Sequence, residues 1–264
     1  MEILPMSEIR INCKEVQSVK DILYSTFRLI TFSREHLADD LLNTYLSSTT
    51  NLQELLSIKN AQMEAQNDHE IELYEISLNR TLAVIMEEIK NQVDFKTELQ
   101  LFQLFRSISP ESHLNHPNRY RDQLVQIGQY VCPEPHDVPS LISELFYNMN
   151  EIQEPLIRAI YFHHELIRIH PFSDGNGRTT RIAKNWILMY NLYPPIFIRD
   201  AKEKKEYIDT LSSSFSSLER NPGKWNSHLD DFFSQEMRRI RHNASLVYES
   251  VKNIGENRKQ YESF

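Results

Sequence analysis

The amino-acid sequence predicts an all-α protein, and three observations support this. Glycine, which weakens helices, occurs only 5 times in 264 residues. Helix-forming Leu, Ile and Glu are abundant, and long stretches contain no proline. Apolar residues recur at helical spacing through most of the chain. With 40% hydrophobic and 25% charged residues, the composition is typical of a globular chain.

The N-terminal part predicts several helices. Residues 15–65 show helical periodicity, which the polar run at 47–51 is expected to interrupt as a loop. A polar boundary at 65–70 precedes a long amphipathic helix over 71–93. Another helix is predicted at 99–108.

Prolines interrupt or end the predicted helices in the C-terminal part of the chain. Pro133, Pro135 and Pro139 forbid a helix around them, so we expect an extended loop or a short strand pair there. A strongly apolar helix over 155–169 should end before Pro171. The remaining predicted helices are 139–148, 179–190, 201–218, 225–241 and 244–260.

Charge and cysteine content narrow the class of protein. The net charge of −8 argues against general nucleic-acid binding, which usually needs a basic surface. Cys13 and Cys132 are too few and too far apart to form a disulfide framework. The N-terminus does not resemble a signal peptide, and no apolar run approaches a membrane span. We therefore expect a cytoplasmic protein without membrane segments.

The segment 170–181, HPFSDGNGRTTR, is the most informative part of the chain. Gly175 and Gly177 flank Asn176, and a helix is expected to begin near Arg178. Backbone amides presented by a Gly-X-Gly turn at a helix N-terminus form an anion site. Arg178 and Arg181 lie three residues apart, on one face of the first helical turn, where their guanidinium groups suit phosphate oxygens.

Two further residues of this loop suggest chemistry. His170 is the side chain in the loop that can exchange a proton at neutral pH. Asp174 is suited to hold a Mg²⁺ ion that bridges phosphates. A base, Mg²⁺ and a phosphate site together indicate transfer from a nucleoside triphosphate. The spacing of a Walker A loop is missing.

The same segment resembles the Fic family motif, H-P-F-x-D-G-N-G-R-x-x-R, at all nine specified positions. The resemblance extends over about 71–240 and implies a helical bundle with a β-hairpin flap, carrying extra N-terminal and C-terminal helices. It divides the chain into an N-terminal helical segment (1–70), a catalytic core (71–240) and a C-terminal helix (241–264).

The resemblance also implies an activity, the transfer of AMP from ATP to a Ser, Thr or Tyr hydroxyl of a target protein. It assigns His170 as base, Asp174 to Mg²⁺, and Arg178 and Arg181 to the β- and γ-phosphates. Further residues it implies are Gly175, Asn176 and Gly177 at the α-phosphate, Tyr207 near the adenine, and Tyr130, Val131 and Val138 in the flap that pairs with the target.

Many Fic proteins carry an inhibitory helix with the pattern [S/T]-x-x-x-E-[G/N], whose glutamate pairs with the second arginine, here Arg181. Two segments match it incompletely: Thr50 to Glu54, followed by Leu, and Ser245 to Glu249, followed by Ser. Glu249 is slightly favoured because its helix follows the core. A separate inhibitor protein and a homo-oligomer both remain open.

Other interpretations compete with this one. The loop could be a purely structural helix–loop–helix corner, or the chain a non-catalytic binding module. The same fold could transfer another nucleotide or phosphate-containing group, or remove AMP from a modified target. A phosphohydrolase could use His163 or His164 with His170 and Asp174 as metal ligands, although adjacent histidines on a helix point to different faces.

Overall fold

A computed structural model describes residues 1–115 and 120–261. The first part of the chain forms consecutive helices, beginning after a short 3-10 turn at Met6–Glu8. These helices are α1 (Cys13–Thr31), α2 (Glu35–Glu64), α3 (Asp68–Lys90), α4 (Glu98–Ile108) and α5 (Pro110–Asn115).

The second part contains a small hairpin and the remaining helices. Strands β1 (Gln126–Ile127) and β2 (Tyr130–Val131) pair antiparallel, with Ile127 opposite Tyr130. Gly128 has a φ of 59° in the connecting turn, a conformation that glycine adopts without strain. The helices that follow are α6 (Val138–Glu151), α7 (Pro155–Ile169), α8 (Asn176–Tyr190), α9 (Ala201–Arg220) and α10 (Ser227–Tyr261).

Helix α7 forms the centre of the molecule. Every residue from 156 to 169 is buried, including its histidines and arginines. It packs against α6 and α8, while α10 closes the other side against α1, α2 and α9. A helix that is buried all round is a core element, so the loop that joins α7 to α8 has a rigid base.

The all-α prediction and the short hairpin are confirmed, but two predicted breaks are wrong. Residues 47–51 lie inside α2, because the buried Leu52 and Leu56 continue its apolar face; the Thr49 hydroxyl donates back to Tyr45 O at 3.1 Å instead of capping a new helix. Asn243 lies inside α10, where its amide donates to Pro195 O at 2.7 Å and the buried Val247 and Val251 continue the apolar face of the helix.

The proposed division at residue 240 therefore falls inside a continuous helix, and the three-segment organisation stays a prediction. Within the described ranges, each helix lacks the length or the apolar character that crossing a bilayer requires.

Candidate functional site

The loop between α7 and α8 has an unusual backbone at both ends. His170 ends α7 in the left-handed region, with φ 52° and ψ 60°. Gly175 caps α8 with φ 72°, and a Cβ at this position would lie 2.0 Å from the Ser109 hydroxyl oxygen. Glycine is therefore required at 175 both for its conformation and for space.

Asn176 holds this loop in shape from inside. Its side-chain oxygen accepts from Phe172 N at 2.9 Å, and its amide donates to Phe172 O at 2.8 Å. The Phe172 ring stacks on Phe105, with ring centroids 3.8 Å apart. The resemblance implied that Asn176 contacts the α-phosphate. In the structure its side chain is buried and hydrogen-bonded to the loop backbone, so it shapes the loop instead of pointing freely at a ligand.

Two arginines of α8 converge on one carboxylate. Arg178 Nε donates to Glu64 Oε2 at 3.0 Å, and Arg181 Nη2 donates to Glu64 Oε1 at 2.7 Å. Arg181 also donates through Nε to Asn60, one turn before Glu64 on α2. Burial alone would raise the pKa of Glu64, but the charges of Arg181 and Arg178 outweigh it and lower that pKa.

Gly177 makes room for this carboxylate. A Cβ at Gly177 would lie 2.0 Å from Glu64 Oε1 and 2.9 Å from Arg181 Nη1. The carboxylate of Glu64 therefore occupies the space directly above the Gly-X-Gly turn and between the arginines. An anion already sits where the sequence predicted an anion site.

An open cleft of about 510 Å³ surrounds this point. Its walls come from the α7–α8 loop, the corner between α2 and α3, the hairpin turn and α9. The residues that line it include His170, Asp174, Gly175, Asn176, Gly177, Arg181, Tyr207, Glu64, Tyr74 and Ile127. A volume of this size is typical of small-ligand sites.

His170 lies in this cleft as a neutral side chain. Burial lowers the pKa of His170 to about 4, while the nearby backbone of Ile167 acts in the opposite direction. Its Nδ1 has no hydrogen-bond partner among the described residues. A neutral imidazole at pH 7 can accept a proton from a group in the cleft.

Asp174 lies at the rim of the cleft. Its carboxylate is 61% exposed and contacts Arg178 Nη2 at 3.0 Å. The described residues offer no cluster of three His, Cys, Asp or Glu side chains around a common point. One accessible carboxylate suits Mg²⁺, which takes one or two carboxylates and fills its other positions with water and phosphate oxygens.

Neither glutamate proposed as an inhibitor lies at Arg181. Glu54 is exposed on α2. Glu249 is exposed on α10, with its nearest ion-pair contact to Lys252 at 3.8 Å. The glutamate at the arginines is Glu64, because the last turn of α2, rather than α10, reaches the loop.

The three flap residues have different environments. Val131 is half exposed on β2. Tyr130 is buried, with its ring against Phe215 at 4.9 Å. The assignment of Val138 to the flap is wrong, since it begins α6 and is fully buried.

The two histidines of α7 do not join His170. His163 contacts Glu236 at 3.2 Å and the Tyr207 hydroxyl at 2.9 Å. His164 contacts Glu165 and Ser214 at 2.7 and 2.9 Å. Both side chains are buried, so they serve the core rather than the metal site of a phosphohydrolase.

Sequence reasoning missed residues that lie in or beside the cleft. Asn60 and Ala65 stand where the inhibitory pattern has Ser or Thr and Gly or Asn, so Glu64 would be found only by a pattern that also allows Asn at the first position and Ala at the last. Tyr74 lies under Arg178, whose guanidinium carbon is 3.7 Å from the ring centroid. No sequence signal identifies Tyr74, because its position depends on how α3 packs.

The fold and the cleft define the class: an all-α protein with a glycine-flanked cleft at the N-terminus of α8, where two arginines hold a carboxylate. Comparison with family models places it more narrowly. Residues 94–188 match the model of the Fic/DOC family, in agreement with the resemblance that the motif carries.

Curated relatives agree with this assignment. The chain is 31% identical over 136 residues to Protein adenylyltransferase Fic of Culex quinquefasciatus, covering 50% of the chain and 27% of the relative. It is 29% identical over 143 residues to the protein of the same name in Nematostella vectensis, covering 53% and 33%. The chain thus spans about a third or less of these relatives.

Solved structures share the fold. A Fic-domain-containing signaling protein from Bacteroides thetaiotaomicron superposes with a TM-score of 0.69 at 17% identity, covering 89% of this chain and 98% of that one. Fic-1 from C. elegans gives 0.61 at 14% identity, covering 91% and 74%. At these identities the likeness concerns the fold alone.

Proposed function

We propose that this protein transfers AMP from ATP to a hydroxyl side chain of a target protein. One observation carries the proposal: a neutral histidine, a glycine-flanked helix N-terminus and Arg181 line one cleft, where the Glu64 carboxylate bridges Arg181 and the buried Arg178. The relatives named adenylyltransferase act as supporting evidence for the reaction class.

The chemistry follows from the placement of these groups. His170 accepts the proton of the target hydroxyl, whose oxygen attacks the α-phosphorus of ATP. The bond from that phosphorus to the oxygen bridging to the β-phosphate breaks, and pyrophosphate leaves. Amides of the loop over 175–177 stabilise charge on the α-phosphate, and Arg178 and Arg181 bind the leaving phosphates.

Asp174 would hold Mg²⁺, because its exposed carboxylate lies at the rim beside Arg178. When bound, Mg²⁺ neutralises charge on the triphosphate. Tyr207 is buried in the wall of the cleft, and we assign its ring to the base of the nucleotide.

The hairpin is the proposed docking site for the target. Ile127 and Gly128 line the cleft beside His170, and Val131 is half exposed on the paired strand. An extended target segment could add to this short hairpin through backbone hydrogen bonds, the strand-addition mode of peptide binding.

Glu64 would restrain this activity. The γ-phosphate and the Glu64 carboxylate both need the space between Arg178 and Arg181, so they exclude one another. Mg-ATP therefore binds productively only when Glu64 leaves the arginines.

The test is transfer of label from α-labelled ATP to protein, first in Glu64→Ala, where the restraint is absent. His170→Ala in the same background should bind ATP and lose transfer. His242→Ala, an exposed histidine of α10, is the matched control and should retain transfer. Undiminished transfer by His170→Ala would refute the base assignment. Label transferred from γ- but not α-labelled ATP would refute AMP transfer itself.

A further inference from the structure

Arg121 is a buried cation whose described hydrogen-bond acceptors are all backbone carbonyls. It is 3% exposed, and burial lowers its pKa. Cys132 and Glu134 act in the opposite direction on that pKa, and the guanidinium group itself donates to backbone carbonyls. Burying an arginine in this way is costly, so its contacts need an explanation.

Those contacts join two separate parts of the molecule. Arg121 Nε donates to His170 O at 2.8 Å, and Nη2 lies 3.4 Å from Ile169 O, both at the end of α7. Nη1 donates to Gln123 O at 2.7 Å, and Nη2 donates to Pro133 O at 2.5 Å. The last two carbonyls lie on either side of the hairpin, one before β1 and one after β2.

Backbone bonds extend the same connection. Arg121 N donates to Pro171 O at 2.9 Å, and Cys132 N donates to Val125 O at 3.0 Å, which continues the hairpin pairing. One planar guanidinium thus lies where the two ends of the flap meet the end of the central helix.

The contact with His170 has a particular consequence. His170 is held in the left-handed region, which is unfavourable for a residue with a side chain. A donor fixed on its carbonyl limits rotation of the peptide group that follows and thereby the direction of the imidazole.

We propose that Arg121 is a positioning residue that fixes the β1–β2 hairpin and His170 relative to each other, so that the hydroxyl of a docked target lies next to the imidazole of His170. This rests on the proposed function. Arginine is required because a flat fork of five N–H donors can reach several carbonyls at once, whereas the single ammonium of lysine cannot.

Arg121→Lys tests this, with Arg121→Gln as a second variant that removes the buried charge. Arg158→Lys is the matched control. Like Arg121, Arg158 is buried, but it lies on α7 about three helical turns before His170 and pairs with Asp94 at 2.8 Å. All are made in Glu64→Ala and compared by hydrogen exchange, ATP affinity and transfer from α-labelled ATP.

Both Arg121 variants should exchange the amides of 125–132 at least tenfold faster than the Arg158 control. Transfer to protein should fall at least tenfold, while ATP affinity stays within about threefold, because Arg121 touches no residue of the anion site. The exchange arm needs no activity, so it tests the connection even where transfer fails in every variant and the proposed function falls.

Three results would overturn the proposal. The first is flap exchange equal to that of Arg158→Lys. The second is loss of ATP affinity in parallel with transfer, which would indicate general disruption of the cleft. The third is failure of both Arg121 variants to fold, which would make Arg121 a residue of the core rather than a positioning residue.

Discussion

Replacing Glu64 by alanine should raise the activity of the protein and lower its stability. The two effects have one cause, the pair of charged hydrogen bonds to Arg178 and Arg181 at 3.0 and 2.7 Å. Hydrogen bonds to charged groups contribute about 1.5–3 kcal/mol each. Since the Glu64 side chain is 27% exposed, about 2–3 kcal/mol for the pair is the appropriate scale.

Under the proposed function this free energy opposes productive ATP binding, because the γ-phosphate would displace the carboxylate. At 1.4 kcal/mol per factor of ten, 2–3 kcal/mol corresponds to roughly 30- to 150-fold. Transfer from α-labelled ATP, measured well below saturation, should increase by a factor in this range in Glu64→Ala.

Stability should change in the opposite direction. Without Glu64, two guanidinium groups whose side chains are only 2% and 6% exposed lose a counter-charge. Urea unfolding should show a loss of about 2–3 kcal/mol, which ATP or pyrophosphate should partly restore by binding the folded state.

Glu54→Ala is the control, since Glu54 lies on the same helix and is exposed. It should change neither quantity appreciably. Transfer by Glu64→Ala within twofold of the unaltered protein would refute the reasoning, as would a gain in activity with no loss of stability.

Three further predictions concern the cleft and the core. Gly177→Ala should abolish transfer even in the Glu64→Ala background, because its methyl group fills the anion site; retained transfer in the labelling assay would contradict this. Tyr207→Phe should change ATP affinity by less than about threefold, because the Tyr207 hydroxyl is hydrogen-bonded to His163. It should lower the free energy of unfolding in urea by about 1–2 kcal/mol. A tenfold loss of affinity would indicate that the hydroxyl contacts the nucleotide instead. Burial lowers the pKa of His163 to about 3 and also lowers the pKa of His164, so below pH 6.5 the unfolded chain binds more protons than the folded chain. The free energy of unfolding should therefore fall between pH 6.5 and 5, by up to about 1.4 kcal/mol per histidine per pH unit. Equal stability in urea at pH 7 and pH 5 would refute this.

Local rules were sufficient to predict the centre of the fold. Proline at 171 ends α7 at the predicted residue, and α8 begins at Asn176, two residues before the predicted start near Arg178. These signals act over a few residues, so they are visible in one sequence. The motif therefore identified the loop and both arginines before their partners were known.

Long-range packing determined what the sequence did not reveal. Which glutamate meets Arg181 depends on where the end of α2 lies, and the predicted loop at 47–51 obscured that this helix continues to Glu64. The role of Arg121 is equally invisible, because its carbonyl partners become neighbours only when the hairpin packs on α7. Pairings between distant segments leave no periodicity or spacing in the sequence.

The position of Glu64 at the last residue of α2 determines how fast the proposed restraint can respond. The preceding turns of this helix are anchored in the core through Leu52, Leu56 and Ala61, so the helix end cannot leave the cleft without losing packing. The carboxylate, however, can swing aside by side-chain rotation, which is far faster than the movement of a helix. Under the proposed function, release of the restraint therefore requires a side-chain rotation and no movement of α2. The activity of the enzyme at any moment should follow the concentration of ATP that competes with a tethered carboxylate.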